Sequence, residues 1–163
     1  MRTGVKKWEK VGKVFRGITN LNLDAKGRLA MPTRHREAFA QDDNQLILTI
    51  DTQEHCLLVY PLGTWLEIEK QIDALPSFNK TANRIKRMLI GHATQLEFDS
   101  AGRIVIPAAL RAHAKLEKEA VLVGQGKKLE LWAQPLWAEM TEDFLEQSDE
   151  DDELPTALET LSL

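Results

Sequence analysis

The sequence predicts an α+β fold, mainly β, in which two tandem units share one core. Three observations carry this. A five-residue turn, Asp-x-x-Gly-Arg, occurs at Asp24 to Arg28 and again at Asp99 to Arg103. Short apolar or alternating runs bounded by Gly, Pro, Asn and Asp surround each copy, which is the pattern of strands. Apolar residues at helical spacing lie between and after the two copies.

A shift of 75 positions superposes Leu21 on Leu96, Asp24 on Asp99, Gly27 on Gly102, Arg28 on Arg103, Pro32 on Pro107 and Arg36 on Arg111. Beyond the apolar runs Leu46 to Leu48 and Val121 to Val123, a shift of 72 aligns Leu57 with Leu129, Tyr60 with Trp132 and Trp65 with Trp137. The change of shift belongs to a loop between two strands, where insertions cost little. Units of about fifty residues bury too little surface to stand alone, so they are expected to share a core.

Within the first unit, Leu21 and Leu23 alternate with Asn20, Asn22 and Asp24 as a half-buried strand. Gly27 supplies the positive φ of a tight hairpin turn, and Leu29 to Met31 returns as a second strand. Pro32 opens a short basic helix to Phe39 or Ala40, because its missing N–H costs nothing in a first turn. Strands follow at Gln45 to Ile50 and His55 to Tyr60.

Thr64 and Glu67 have capping-box spacing, and Trp65, Ile68, Ile72 and Leu75 form one apolar face, predicting a helix over 64–75. Asn79 caps the next helix, with Ile85, Met88 and Leu89 inward, Lys80, Arg84, Lys86 and Arg87 wet, and Gly91 at its end. Pro135 starts a third helix around Leu136 to Leu145. The organisation expected is a leader over 1–13, unit one over 18–64, linking helices over 65–92, unit two over 93–136, and a terminal helix with an acidic tail over 137–163. The tail is expected to be disordered around Gln147 to Glu153, with Leu154, Leu158 and Leu161 adding a frayed turn.

Of 163 residues, 43% are hydrophobic and 28% charged, ordinary globular usage. Cys56 is the sole cysteine, which excludes an internal disulfide and a multi-cysteine zinc site. Beside Leu57, Leu58 and Val59 it reads as a buried strand thiol rather than a nucleophile. No apolar run approaches a membrane span, and a cytoplasmic protein is expected. The net charge of -4 hides an asymmetry, since Ala138 to Leu163 holds ten acidic residues and no Lys or Arg. Positions 1–137 therefore carry 21 basic against 15 acidic residues.

Arg2, Lys6, Lys7, Lys10 and Lys13 crowd the first thirteen positions, yet without them positions 14–137 hold 16 basic and 14 acidic residues. Global charge is therefore weak evidence for nucleic acid, and local clustering has to carry it. From Val14 to Arg36 there are five basic residues, Arg16, Lys26, Arg28, Arg34 and Arg36, and one acid, Asp24. A hairpin turn would project Lys26 and Arg28 from the end of a two-stranded ribbon, an element that fits the DNA major groove, where Arg pairs bidentately with guanine. Asp24 would brace the Arg28 guanidinium or cap the turn. The bland alternative is a well-made turn with a surface ion pair worth under about 1 kcal/mol, and the duplication weighs against it. Asp99 and Arg103 form the weaker second copy, having Ala101 where the first has Lys26.

Phe15-Arg16-Gly17, Leu23 through Leu29, Cys56 through Pro61, Leu89-Ile90-Gly91-His92-Ala93, Asp99 through Arg103 and Leu129-Glu130-Leu131-Trp132 together resemble the MraZ family of bacterial transcriptional regulators, built of two SpoVT-AbrB type units. The match spans nearly everything but the leader and the acidic tail. The resemblance implies a pseudo-symmetric swapped-hairpin β-barrel with peripheral helices and assembly of a homo-oligomeric ring. It also implies binding of double-stranded DNA at short upstream repeats, with repression of its own operon and the division and cell-wall cluster. The family's Asp-x-x-x-Arg contact motif falls on Asp24 and Arg28, and on Asp99 and Arg103. Val14 stands where family members begin with Met, so 1–13 is expected to be a disordered or misassigned leader.

An AbrB-class antitoxin, coupling DNA binding to capture of a toxin, is the alternative reading; two units joined by helices in one chain suit a self-assembling ring better. An enzyme is not expected. His35, His55, His92 and His113 are scattered without metal-ligand spacing, and no phosphate-cradling Gly loop or nucleophile elbow is present. No cofactor, metal, membrane contact or small-molecule substrate is expected.

Overall fold

The computed structural model describes residues 14–147 and Leu161, so the expectations for the leader and for the turn around Leu154 and Leu158 fall outside the described residues. Among the described residues eight strands and five helices follow in order: β1 Ile18–Asn22, β2 Arg28–Ala30, α1 Thr33–Ala40, β3 Gln45–Ile50, β4 Leu57–Pro61, α2 Leu62–Asp73, α3 Lys80–Leu89, β5 Thr94–Glu97, β6 Arg103–Val105, α4 Ala108–His113, β7 Glu119–Gly124, β8 Leu129–Ala133 and α5 Gln134–Glu146. The fold is α+β and mainly antiparallel sheet, as the sequence predicts.

One sheet has six strands in the order β1-β7-β8-β4-β3-β5, and a separate ribbon pairs β2 with β6. Exchanging each strand for its counterpart in the other unit turns that order into its own reverse, so the internal repeat is a two-fold pseudo-symmetry. Every pairing except β3 with β4 and β7 with β8 joins one unit to the other. Backbone bonds repeat the symmetry, with Met31 N donating to Gly102 O and Ile106 N to Gly27 O, both at 2.9 Å.

Two expectations change. The hydrogen-bonded order runs from β1 to β5 without returning, so an open sheet and a ribbon stand where a closed barrel was expected. The strands flanking each Asp-x-x-Gly-Arg turn do not form a hairpin ribbon with each other. Asp24 N still donates to Arg28 O at 3.1 Å, but beyond that bond β1 departs to pair with β7 and β2 with β6.

Strand alternation sorts the core into two layers. Leu46, Leu48, Ile50, Leu57, Val59, Leu122, Leu129 and Leu131 face one way and meet Leu29 and Ile104 of the ribbon, Phe39 of α1 and Leu110 of α4. Ile47, Leu58, Tyr60, Val121 and Trp132 face the other way and are covered by α2, α3 and α5 through Trp65, Ile72, Ile85, Leu89, Trp137 and Met140. Both faces of β3 and β4 are buried, which explains their continuous apolar runs. Cys56 is wholly buried in the second layer, and burial pushes its thiol far above the usual range, in keeping with a packing role.

Among the described helices, α3 alone has a side-chain cap. Asn79 caps α3 by accepting from Ala82 N at 3.0 Å, and Pro135 sits in the first turn of α5. The Thr64 and Glu67 box is unused, because α2 begins directly after strand residue Pro61, at Leu62. Of the residues expected inward on α3, Ile85 and Leu89 pack against the second layer while Met88 is exposed. The loop carrying the length difference is the one between β3 and β4, longer than that between β7 and β8.

Candidate nucleic-acid interface

Each turn is built from its aspartate outward. Oδ1 of Asp24 accepts from Lys26 N and Arg28 N, both at 2.9 Å, and Oδ2 accepts from Arg28 Nε at 2.5 Å. Gly27 N donates back to Asp24 O at 2.9 Å, closing the turn with Gly27 at φ +75°. The second copy repeats the arrangement: Ala101 N and Arg103 N donate to Asp99 Oδ1 at 2.9 Å, Arg103 Nε donates to Oδ2 at 3.0 Å, and Gly102 also has φ +75°. The backbone bond from Arg28 leads in holding the Asp24 carboxyl below its usual range, as that from Arg103 does for Asp99.

These bonds fix each arginine through Nε alone. Among the described residues neither Nη group of Arg28 or Arg103 has a recorded partner, so the bidentate edge stays available. That edge is what pairs with guanine O6 and N7.

The ribbon brings the two arginines together. In the β2–β6 register Arg28 faces Val105, Leu29 faces Ile104 and Ala30 faces Arg103. Leu29 and Ile104 are buried, so Arg28, Ala30, Arg103 and Val105 share the outward face. Arg28 and Arg103 are diagonal neighbours on that face, a relation that sets them roughly 7–8 Å apart. The sequence shows two turns 75 residues apart; cross-unit pairing makes them two ends of one short ribbon.

The other sequence-predicted residues divide. Lys26 is exposed in the first turn. Arg16 is exposed beside the end of β7, where its backbone would collide with a Cβ on Gly124. Arg34 donates through Nη2 to Thr19 Oγ1 of β1 and through Nε to His35 Nε2 at 3.3 Å. Both therefore line the start of unit one. Arg36 lies instead against the second turn, donating from Nε to Met31 O at 2.9 Å and from Nη2 to Ala101 O at 3.2 Å. Arg111, its repeat counterpart, lies against Gly27. Arg111 is absent from the residues singled out by sequence, although the shift that aligns it with Arg36 marks it.

The histidines are less scattered than their spacing suggests. The His55 and His113 rings lie 5.6 Å apart, and those of His92 and His113 lie 6.4 Å apart. Even so, no group of His, Cys, Asp or Glu among the described residues is arranged to hold a metal ion. No described helix is long and apolar enough to cross a membrane.

A family model described as "MraZ protein, putative antitoxin-like" matches residues 14–88 and again 89–158. The chain is 49% identical over 152 residues to the transcriptional regulator MraZ of Legionella pneumophila strain Corby, covering 92% of this chain and 100% of that protein. It is 48% identical, with the same coverage, to the transcriptional regulator MraZ of Halorhodospira halophila. The counterpart in Coxiella burnetii strain Dugway is 47% identical over 152 residues, again with 92% and 100% covered. With two consecutive matches to one model and relatives covered end to end, the chain belongs to the MraZ family, whose curated members here are named transcriptional regulators.

Proposed function

We propose that the protein is a sequence-specific DNA-binding transcriptional regulator that reads short upstream direct repeats through the outward face of the β2–β6 ribbon. The observation that carries this is the placement of Arg28 and Arg103 on one outward face, each anchored by Nε and, among the described residues, without a partner at its Nη edge. Lys26 adds charge at the first turn, and Arg16 and Arg34 serve as phosphate contacts along unit one. As the resemblance implies, the targets are the protein's own operon with the division and cell-wall cluster, the effect is repression, and the working form is a ring-shaped homo-oligomer on the nucleoid. The reversed strand order and cross-unit pairing support the swapped-hairpin architecture that goes with this reading. The role is binding, with no catalytic step.

A ring would place several ribbons within reach of one duplex, so tandem repeats should bind far better than a single element through effective concentration. Footprinting on the protein's own upstream region locates the element. On a duplex carrying it, Arg28→Ala is expected to lose about ten- to hundredfold in affinity, the range for one bidentate base contact, while secondary structure and oligomeric size stay as in the wild type. Undiminished affinity in that variant would refute the site. Arg16→Ala and Arg34→Ala should each reduce the salt slope by about one. The antitoxin reading would prevail if a small protein co-purified stoichiometrically and its release were needed for DNA binding.

A further inference from the structure

We infer that Arg36 and Arg111 are crosswise positioning residues: each unit sends one arginine across the pseudo-two-fold axis to hold the other unit's DNA-reading turn. This rests on the reading of the turns given above, and it assigns Arg36 a role other than the DNA contact its sequence position suggests.

The geometry is the same on both sides. Arg36 leaves α1 of unit one and lies over Gly102 of unit two, where Cζ, Nε and Nη2 would all collide with a side chain at that position. Arg111 leaves α4 of unit two and lies over Gly27 of unit one, where a Cβ would fall 2.5 to 3.0 Å from Nη1, Cζ and Nε. Near-equal distances from three guanidinium atoms mean that the flat face of each group covers the bare Cα. Both glycines take φ +75°, which favours glycine, and in each case the arginine occupies the space a side chain would fill.

The polar contacts complete the clamp on the second turn. Arg36 Nη2 donates to Ala101 O and Nε to Met31 O, while Met31 N donates to Gly102 O, so strand β2, helix α1 and the opposite turn close one network. On the first turn Ile106 N bonds Gly27 O in the same way, while Arg111 Nε is buried without a partner among the described residues and the guanidinium packs over Gly27. Here Arg36 Nε and Nη2 are spent on carbonyls, Arg111 Nε is enclosed, and both guanidinium groups lie against glycine. The arginines act on DNA through Lys26, Arg28 and Arg103 by fixing the turns that carry them.

The test uses the full chain with Arg36→Ala and Arg111→Ala. Amide hydrogen exchange of the free protein should be faster at Lys26 and Arg28 in Arg111→Ala alone, and at Ala101 and Arg103 in Arg36→Ala alone. Affinity for a duplex from the upstream region should fall about ten- to hundredfold in each variant with an unchanged salt slope, because a base contact is misplaced while no phosphate contact is removed. Arg36→Lys and Arg111→Lys keep the charge without the planar group and should fail to restore either property; they also serve if an alanine variant does not fold. Exchange that rises in the turn of the variant's own unit, or does not change in the opposite turn, overturns the inference. So does a salt slope reduced by about one with equal weakening on a shuffled duplex, which would make these residues phosphate contacts. If the wild type does not prefer its upstream duplex, the DNA reading fails while the crosswise exchange pattern still decides the brace.

Discussion

At the scale of single residues, the chain shows how much a short motif can encode and where it stops. Asp24 and Gly27 fix their turn through local bonds, so the turn and its aspartate brace were legible from five letters. Gly27 being covered by Arg111 was not, because that contact joins residues 84 positions apart and depends on how two units interlock. Histidine behaves likewise. His113 is held below its usual range first by burial and then by the charges of His55 and His92, with Asp51 acting weakly the other way, and no sequence spacing announces that meeting. The depressed value has a signed consequence. Above about pH 6.5 neither folded nor unfolded His113 is protonated; as pH falls below 6.5 the unfolded chain takes up a proton that the folded one resists, and stability declines until the folded group also titrates. His35, depressed chiefly by burial and next by Arg34, adds in the same direction. Urea midpoints at pH 7.5 and 5.5 should therefore fall with acidification in the wild type and fall less in His113→Gln. Equal pH dependence in the two proteins would contradict the assignment.

Elements were legible to the degree that their determinants are local. Helix α3 could be located by Asn79 before it and Gly91 after it, since a capping side chain acts within one turn. By contrast the Thr64 and Glu67 spacing pointed two residues late for α2, because β4 runs straight into that helix and the chain enters it already ordered by the sheet. The β1–β2 pair illustrates the harder case. Alternation identified both strands and Gly27 the turn, yet each strand's partner was the other unit's. Because the α3 cap is local, its energetics should be local too. Asn79→Ala removes the bond to Ala82 N and should cost about 0.5–2 kcal/mol of stability, read as a lowered urea midpoint with an unchanged slope. DNA affinity should stay within error of the wild type, because α3 packs on the face of the sheet opposite the ribbon. A loss of DNA binding in that folded variant would show that the two layers are coupled in a way the packing does not suggest.

For the whole molecule, the decisive fact is that neither unit can satisfy its own strands. β1 finds hydrogen bonds on β7, β5 on β3, and β2 on β6, so a separated first half keeps only the β3–β4 hairpin, and isolated hairpins are at best marginal in water. The buried layer beneath the ribbon would open as well, since Leu29, Phe39 and Leu46 pack against Ile104, Leu110 and Leu122 of the other half. Residues 14–92 produced alone are therefore expected to be unfolded as a monomer, or to pair with a second copy that supplies the strands unit two would have given. Mixed with residues 93–147, they should form a one-to-one complex whose circular dichroism and cooperative unfolding approach those of the intact chain. Sedimentation distinguishes these states directly. A stable, folded monomer of either half would show that each unit carries a sufficient core of its own, and the shared core inferred from the repeat would have to be abandoned.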